Sequence, residues 1–204
     1  MTWPQHAPCS TGPAVLLLAR LENETRAFHR DADRPWLGLL STALTRSRYA
    51  EQLALAYGFA APLETALSAL RPLTFSITGR AHARVLAHDL FALDYGGLCT
   101  LPKCEIPALT TLASAAGWLY AVERSARLFP MIAGHVLERL PHLANACTYL
   151  DDPRAEQRWS HIGPALEQMA RTPQIAAEIV ESADSAFRTL TAWYAAPVAL
   201  RQAI

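Results

Sequence analysis

A chain of 204 residues is long enough to bury one sizeable core, and 51% apolar against 18% charged residues excludes a disordered chain. Eighteen basic residues balance eighteen acidic ones, so nothing in the charge calls for nucleic acid or an anionic membrane. The N-terminal MTWPQHAPCSTGP has no basic region ahead of its apolar run, and no run is long enough to span a bilayer; the expectation is a soluble, cytoplasmic protein.

Residues 1–12 read as a loose arm, with Pro4, Pro8 and Gly12. Ser10 or Thr11 can cap a helix with Pro13 in its first turn, running to about Asp33 until Pro35 breaks it. Trp36–Leu44 reads as a short apolar helix or tight helical turn. Ser47–Leu70 is the clearest amphipathic pattern of the first half. Tyr49, Leu53, Ala56, Tyr57, Ala60, Leu63 and Leu67 share a face, and Pro62 should kink the helix. Residues 71–79 connect to a helix over Arg80–Leu93, and Asp94–Pro107 is loop. Ala108–Arg139 reads as one nearly continuous helix interrupted at Pro130. Pro141–Pro153 is a connection or short helix. Two further helices span Pro153–Ala170 and Pro173–Ala196, each with proline near its first turn. No segment alternates as a strand would. About seven helices without repeats or linkers predict one all-α domain over residues 13–204.

The cysteines are Cys9, Cys99, Cys104 and Cys147. A single five-residue spacing is no zinc signature, and buried reduced thiols are the expectation. His82, His88, His135 and His142 lack an HExxH arrangement and read as ordinary. Glu64 and Glu123 resemble a carboxylate pair in a bundle, but the Glu-x-x-His runs of a di-iron site are missing. Ser125 has no nucleophile elbow around it.

The polar stretch LENETRAFHRDAD, Leu21–Asp33, is the chemical focus. Thr25, His29 and Asp33 lie four apart and share a helix face. An imidazole there can bind iron through one nitrogen while the other donates to Asp33, directly or through water. The same spacing equally suits a solvated histidine paired with Asp33.

Several runs carry a family resemblance. TRAFHRDAD, Thr25–Asp33, resembles the proximal helix of bacterial haem oxygenases, where an axial histidine follows a threonine and precedes an acid. RYAEQLALAYGFAAPLE, Arg48–Glu64, and HARVLAHDLFAL, His82–Leu93, resemble the two segments that follow. GWLYAVERSARLFPMI, Gly117–Ile132, falls at the family's distal helix, and the C-terminal helices fit loosely. The resemblance spans roughly residues 14–196 and is strongest to the bacteriophytochrome-associated type. It implies an all-α haem-oxygenase-like fold with haem b between a proximal and a distal helix and His29 as iron ligand. Thr25, Asp33, Tyr120, Arg124, Leu128 and Phe129 would surround the haem.

The distal helix departs from the family pattern. Arg124 stands at its first glycine, and Leu128 and Phe129 stand at its glycine pair. Those glycines leave room for the haem face and bound oxygen. Ser160 and His161, after Trp159, stand where the family often has basic residues. Two functions follow from the resemblance. One is a haem oxygenase with an external reductase, serving a bacteriophytochrome system or iron release. In it Ser125 is the surviving distal polar residue, and Arg127 a replacement donor. The other is a chain that keeps the fold without turnover, as a haem-binding sensor or a protein-interaction module.

Overall fold

The computed structural model describes residues 13–70 and 82–196. The expected N-terminal arm, the Ser10 or Thr11 cap and the 71–79 connection lie outside them. Among the described residues there is no strand, and eight α-helices carry the architecture. They are α1 (Pro13–Glu24), α2 (Arg26–Leu37), α3 (Arg46–Ser68), α4 (His82–Ala92), α5 (Leu112–Ala126), α6 (Phe129–Arg139), α7 (Ala155–Met169) and α8 (Pro173–Ala195). No helix among the described residues is long and apolar enough to cross a membrane.

Two expected long helices are each divided. The first breaks at Thr25, and α2 then runs through Pro35 instead of stopping before it. A proline in the last turn forfeits little of the helical bonding. Burial of Trp36 against Phe129, Tyr149 and Tyr194 holds that turn in place. The short helix or tight helical turn expected over Trp36–Leu44 is a 3-10 turn, Gly38–Leu40.

The second long helix stops at Ala126, ahead of Pro130 and not at it. The proline ring would clash with the carbonyl four residues back, which belongs to Ala126. The chain instead turns over Arg127–Leu128 and starts α6 with Pro130 in its first turn, where a missing N–H costs nothing.

Helix starts follow side-chain capping. The Thr45, Thr111 and Thr172 hydroxyls accept from the backbone N–H of Arg48, Ser114 and Ile175. The α3 helix passes through Pro62 unbroken and buries Tyr49, Leu53, Ala56, Leu63 and Leu67 of the expected face; Tyr57 and Ala60 are only half-buried.

The most buried helix is α5. Its run AAGWLYA is apolar on every side, so it can only be stable inside the molecule. It lies closest against α8, and Gly117 is what allows this. A Cβ there would sit 2.4 Å from the Ile179 carbonyl and 2.6 Å from the Ala183 nitrogen. The Trp193 indole of α8 donates to the Leu55 carbonyl of α3 at 2.9 Å and ties the other flank. Cys104 and Cys147 are buried free thiols as expected, whereas Cys99 is a free thiol on the surface.

Candidate functional site

The structure gathers most of the sequence-designated residues where α2 faces the end of α5. The Thr25 hydroxyl donates to the Leu21 carbonyl at 2.7 Å, and its oxygen lies 2.9 Å from His29 Nε2. A hydroxyl has one proton, and it is committed to Leu21. His29 Nε2 must therefore carry the hydrogen of the second bond, which leaves no lone pair on that nitrogen for a metal.

The His29 ring packs at 5.4 Å against Phe187 of α8. Burial, then the Arg124 guanidinium, lower the His29 pKa below its ordinary value, against the opposing pull of Asp33. The ring is consequently neutral at pH 7. The Tyr120 hydroxyl is directed toward the same Thr25 without closing a geometrically sound bond, and burial pushes its pKa up to about 12.

Asp33 takes no direct hydrogen bond from His29, unlike the direct pairing expected from the spacing. Its carboxylate accepts from Arg124 Nη1 at 3.0 and 2.9 Å, one contact to each oxygen, and from the Ser125 hydroxyl at 3.1 Å. The reason is reach and burial. Asp33 and Arg124 keep only 13% and 17% of their side chains exposed, and a carboxylate so enclosed is stabilised far more by a guanidinium than by a neutral imidazole. This bridge joins the two helices that would flank a haem.

The remaining designated residues fall elsewhere. Arg127 points outward, 3.8 Å from Glu22 and 4.9 Å from the Trp159 ring, so it supplies no donor to the His29 face. Leu128 sits in the turn between α5 and α6. Phe129 faces away from His29, at 4.7 Å from Trp36 and 5.1 Å from Tyr149. None of the four principal cavities among the described residues touches His29. With Nε2 engaged, Phe187 on the ring and the bridge across the gap, a haem does not fit between α2 and α5 as they stand.

The open space lies on the other side of α5. A chamber of about 50 Å³ is walled by Trp36, Phe59, Phe129, Tyr149 and Tyr194, with Glu64, His82, Glu123 and Ser125 as its polar groups. It borders, through His82, Phe129 and Tyr149, a wider vestibule of about 320 Å³ that carries Arg84, Arg154, Asp151 and Asp152. Glu123 is 1% exposed and receives Arg158 Nε at 3.1 Å, with His82 Nε2 at 3.6 Å; Arg158 also bonds Asp152. The Glu64 carboxylate accepts from the Ala83 backbone N–H at 3.1 Å, and burial raises its pKa. Tyr149 is positioned by its own backbone N–H, which donates to the buried Asp89 at 2.7 Å.

Sequence reasoning set Glu64, Glu123 and His82 aside because they match no metal pattern, and no metal-binding cluster exists among the described residues. A readable signal was nevertheless present. A glutamate at position 123 interrupts an otherwise apolar helix face, and a buried carboxylate needs partners. No protein-family model matches this chain, and no curated protein is significantly similar to it.

Proposed function

We propose that this chain is a haem-oxygenase-like helical protein that works by binding and does not cleave haem. The runs around His29, Arg48–Glu64 and Gly117–Ile132 support the likeness, as does the all-helical architecture. One observation carries the loss of turnover. Arg124, at the first glycine position of the family's distal pattern, reaches Asp33 with both of its contacts under 3.1 Å and closes the haem gap. Cleavage needs an open distal face with room for oxygen and water, and the bridge occupies that face.

A hemin titration followed at the Soret band tests this, with wild type, His29→Ala and Arg124→Gly side by side. The expected wild-type spectrum is weak, unaffected by His29→Ala, and yields no biliverdin when ascorbate is added. Arg124→Gly should gain a His29-dependent band. A saturable, His29-dependent wild-type spectrum that proceeds to biliverdin defeats the proposal.

A second reading has its own observation. His29 is partly exposed and neutral, the protonation state that iron ligation requires. Haem entry that breaks both the Arg124–Asp33 bridge and the Thr25–His29 bond, with the ring proton moving to Nδ1, would make the chain a haem sensor. Its signature is saturable, His29-dependent binding without biliverdin.

A further inference from the structure

We propose that the chamber beside α5 is a binding site for a small organic ammonium ion, anchored by Glu64 and enclosed by aromatic rings. The inference stands whether or not haem binds at His29.

Glu64 supplies the charge. Its carboxylate is held by a backbone N–H and has no arginine or lysine partner among the described residues. Arg158, the guanidinium at the chamber's edge, is committed to Glu123 and Asp152. His82 turns its Nε2 toward Glu123 and packs edge-on against Tyr149 at 5.6 Å. A cation delivered by a ligand would therefore meet a carboxylate that, among the described residues, holds backbone N–H donors and the influence of His82 but no guanidinium or ammonium, in a setting where burial makes the pairing strong.

The walls supply the second half of the argument. Trp36, Phe59, Phe129, Tyr149 and Tyr194 surround the space, and aromatic faces attract a cation through their quadrupoles. An anion would meet the Glu64 carboxylate and be repelled. A neutral apolar molecule would gain the walls but bring no cation to Glu64. The recognised group is thus a cation on an apolar stem.

Size bounds that stem. A site of about 10–15 Å³ on this measure holds one water. The chamber's 50 Å³ therefore accepts roughly three to five heavy atoms. That suits a short primary alkylammonium, or the amine end of a larger molecule whose remainder passes His82 and Tyr149 into the vestibule.

Isothermal titration with three four-carbon probes decides the matter: n-butylamine, n-butanol and butyrate. Near about pH 7.5 the amine is fully protonated. Butylammonium is expected to bind saturably and at least tenfold more tightly than butanol, with no butyrate binding. Glu64→Gln should bring butylammonium down to the level of butanol, and Ala60→Leu, which fills the chamber from α3, should abolish both. Circular dichroism verifies that each variant folds. If Glu64→Gln does not fold, the three probes on wild type and Ala60→Leu still decide. Equal affinity for amine and alcohol overturns the proposal. So does unchanged butylammonium affinity in folded Glu64→Gln or Ala60→Leu, or a wild type that never saturates. The hemin titration, run on the same variants, reports separately on the His29 face.

Discussion

Replacing either member of the Arg124–Asp33 pair measures how firmly α2 is held against α5. Arg124 makes two charge-assisted contacts to Asp33, at 3.0 and 2.9 Å, and Ser125 adds a third at 3.1 Å. Removing one partner of a fully buried pair costs about 3–5 kcal/mol, because the other charge stays buried without compensation. Here the side chains are 17% and 13% exposed, so water can reach part of the orphaned group and the low end applies, about 3 kcal/mol. For a chain of this size each kcal/mol moves Tm by about 2–4 °C, so Arg124→Ala should melt roughly 6–12 °C lower. Asp33→Ala should be similar, and the double variant only slightly worse than either. Urea unfolding of the four proteins closes a double-mutant cycle, with an expected coupling of about 2 kcal/mol. A coupling below about 0.5 kcal/mol, the value of an exposed surface pair, would show that the bridge does not hold the helices together.

Gly117→Ala should destabilise by about 3 kcal/mol, since its Cβ would meet backbone of α8 that cannot turn aside. Gly134→Ala on α6, where a Cβ meets nothing, should stabilise by about 0.5 kcal/mol in the same urea assay. The His29 proton NMR titration should fall below the ordinary 6.5 in wild type and move upward in Arg124→Ala, because Arg124 is the largest charge effect lowering it; no movement would remove Arg124 from its surroundings. A lowered histidine pKa favours folding above the unfolded value and loses that support as pH falls through the folded one. His29→Gln should therefore flatten the acid side of the stability profile below pH 6.5. Glu64 works the other way. Its raised pKa gives support that is complete below the ordinary 4.5 and lost as pH rises. Glu64→Gln, whose amide oxygen can still accept from Ala83, should gain stability relative to wild type as pH climbs from 4.5 to 7. A gain independent of pH would show that desolvation is not what raises Glu64.

The helical class and most helix positions were legible because they rest on local chemistry: proline starts and a 3.6-residue apolar period. The division at Thr25 and the passage of α2 through Pro35 were not, and the interruption expected at Pro130 was displaced. At Pro35 a buried tryptophan outweighed a local breaker. Near Pro130 the break moved upstream to Arg127–Leu128, since the steric conflict belongs to the carbonyl four residues earlier. The site was half legible. Spacing placed Thr25, His29 and Asp33 on one face, and the Thr25–His29 bond follows from it. The choice of Arg124 over His29 as the Asp33 partner depends on residues 91 apart in the chain, which no local pattern encodes. The chamber was invisible for the same reason, since Glu64, His82, Glu123 and Tyr149 come from four separate segments.

Under the haem-oxygenase-like reading, the three glycine positions of the distal helix have not simply drifted. Arg124 and Phe129 each make a specific contact, and Leu128 forms the turn that separates them. Arg124 satisfies Asp33, the acid one turn after the histidine. The turn at Arg127–Leu128 swings Phe129 onto Trp36 and Tyr149, and those three rings are walls of the chamber. Ser125 belongs to both arrangements, donating to Asp33 and lining the chamber. Decay without selection leaves buried charges unmatched and gaps unfilled, because most substitutions at packed positions destabilise. Here an ion pair, with Arg124 Nη1 shared between both Asp33 oxygens, closes one face of α5 while an aromatic enclosure forms on the other. Both depend on the same turn of helix, which is the pattern expected where one binding face has been exchanged for another.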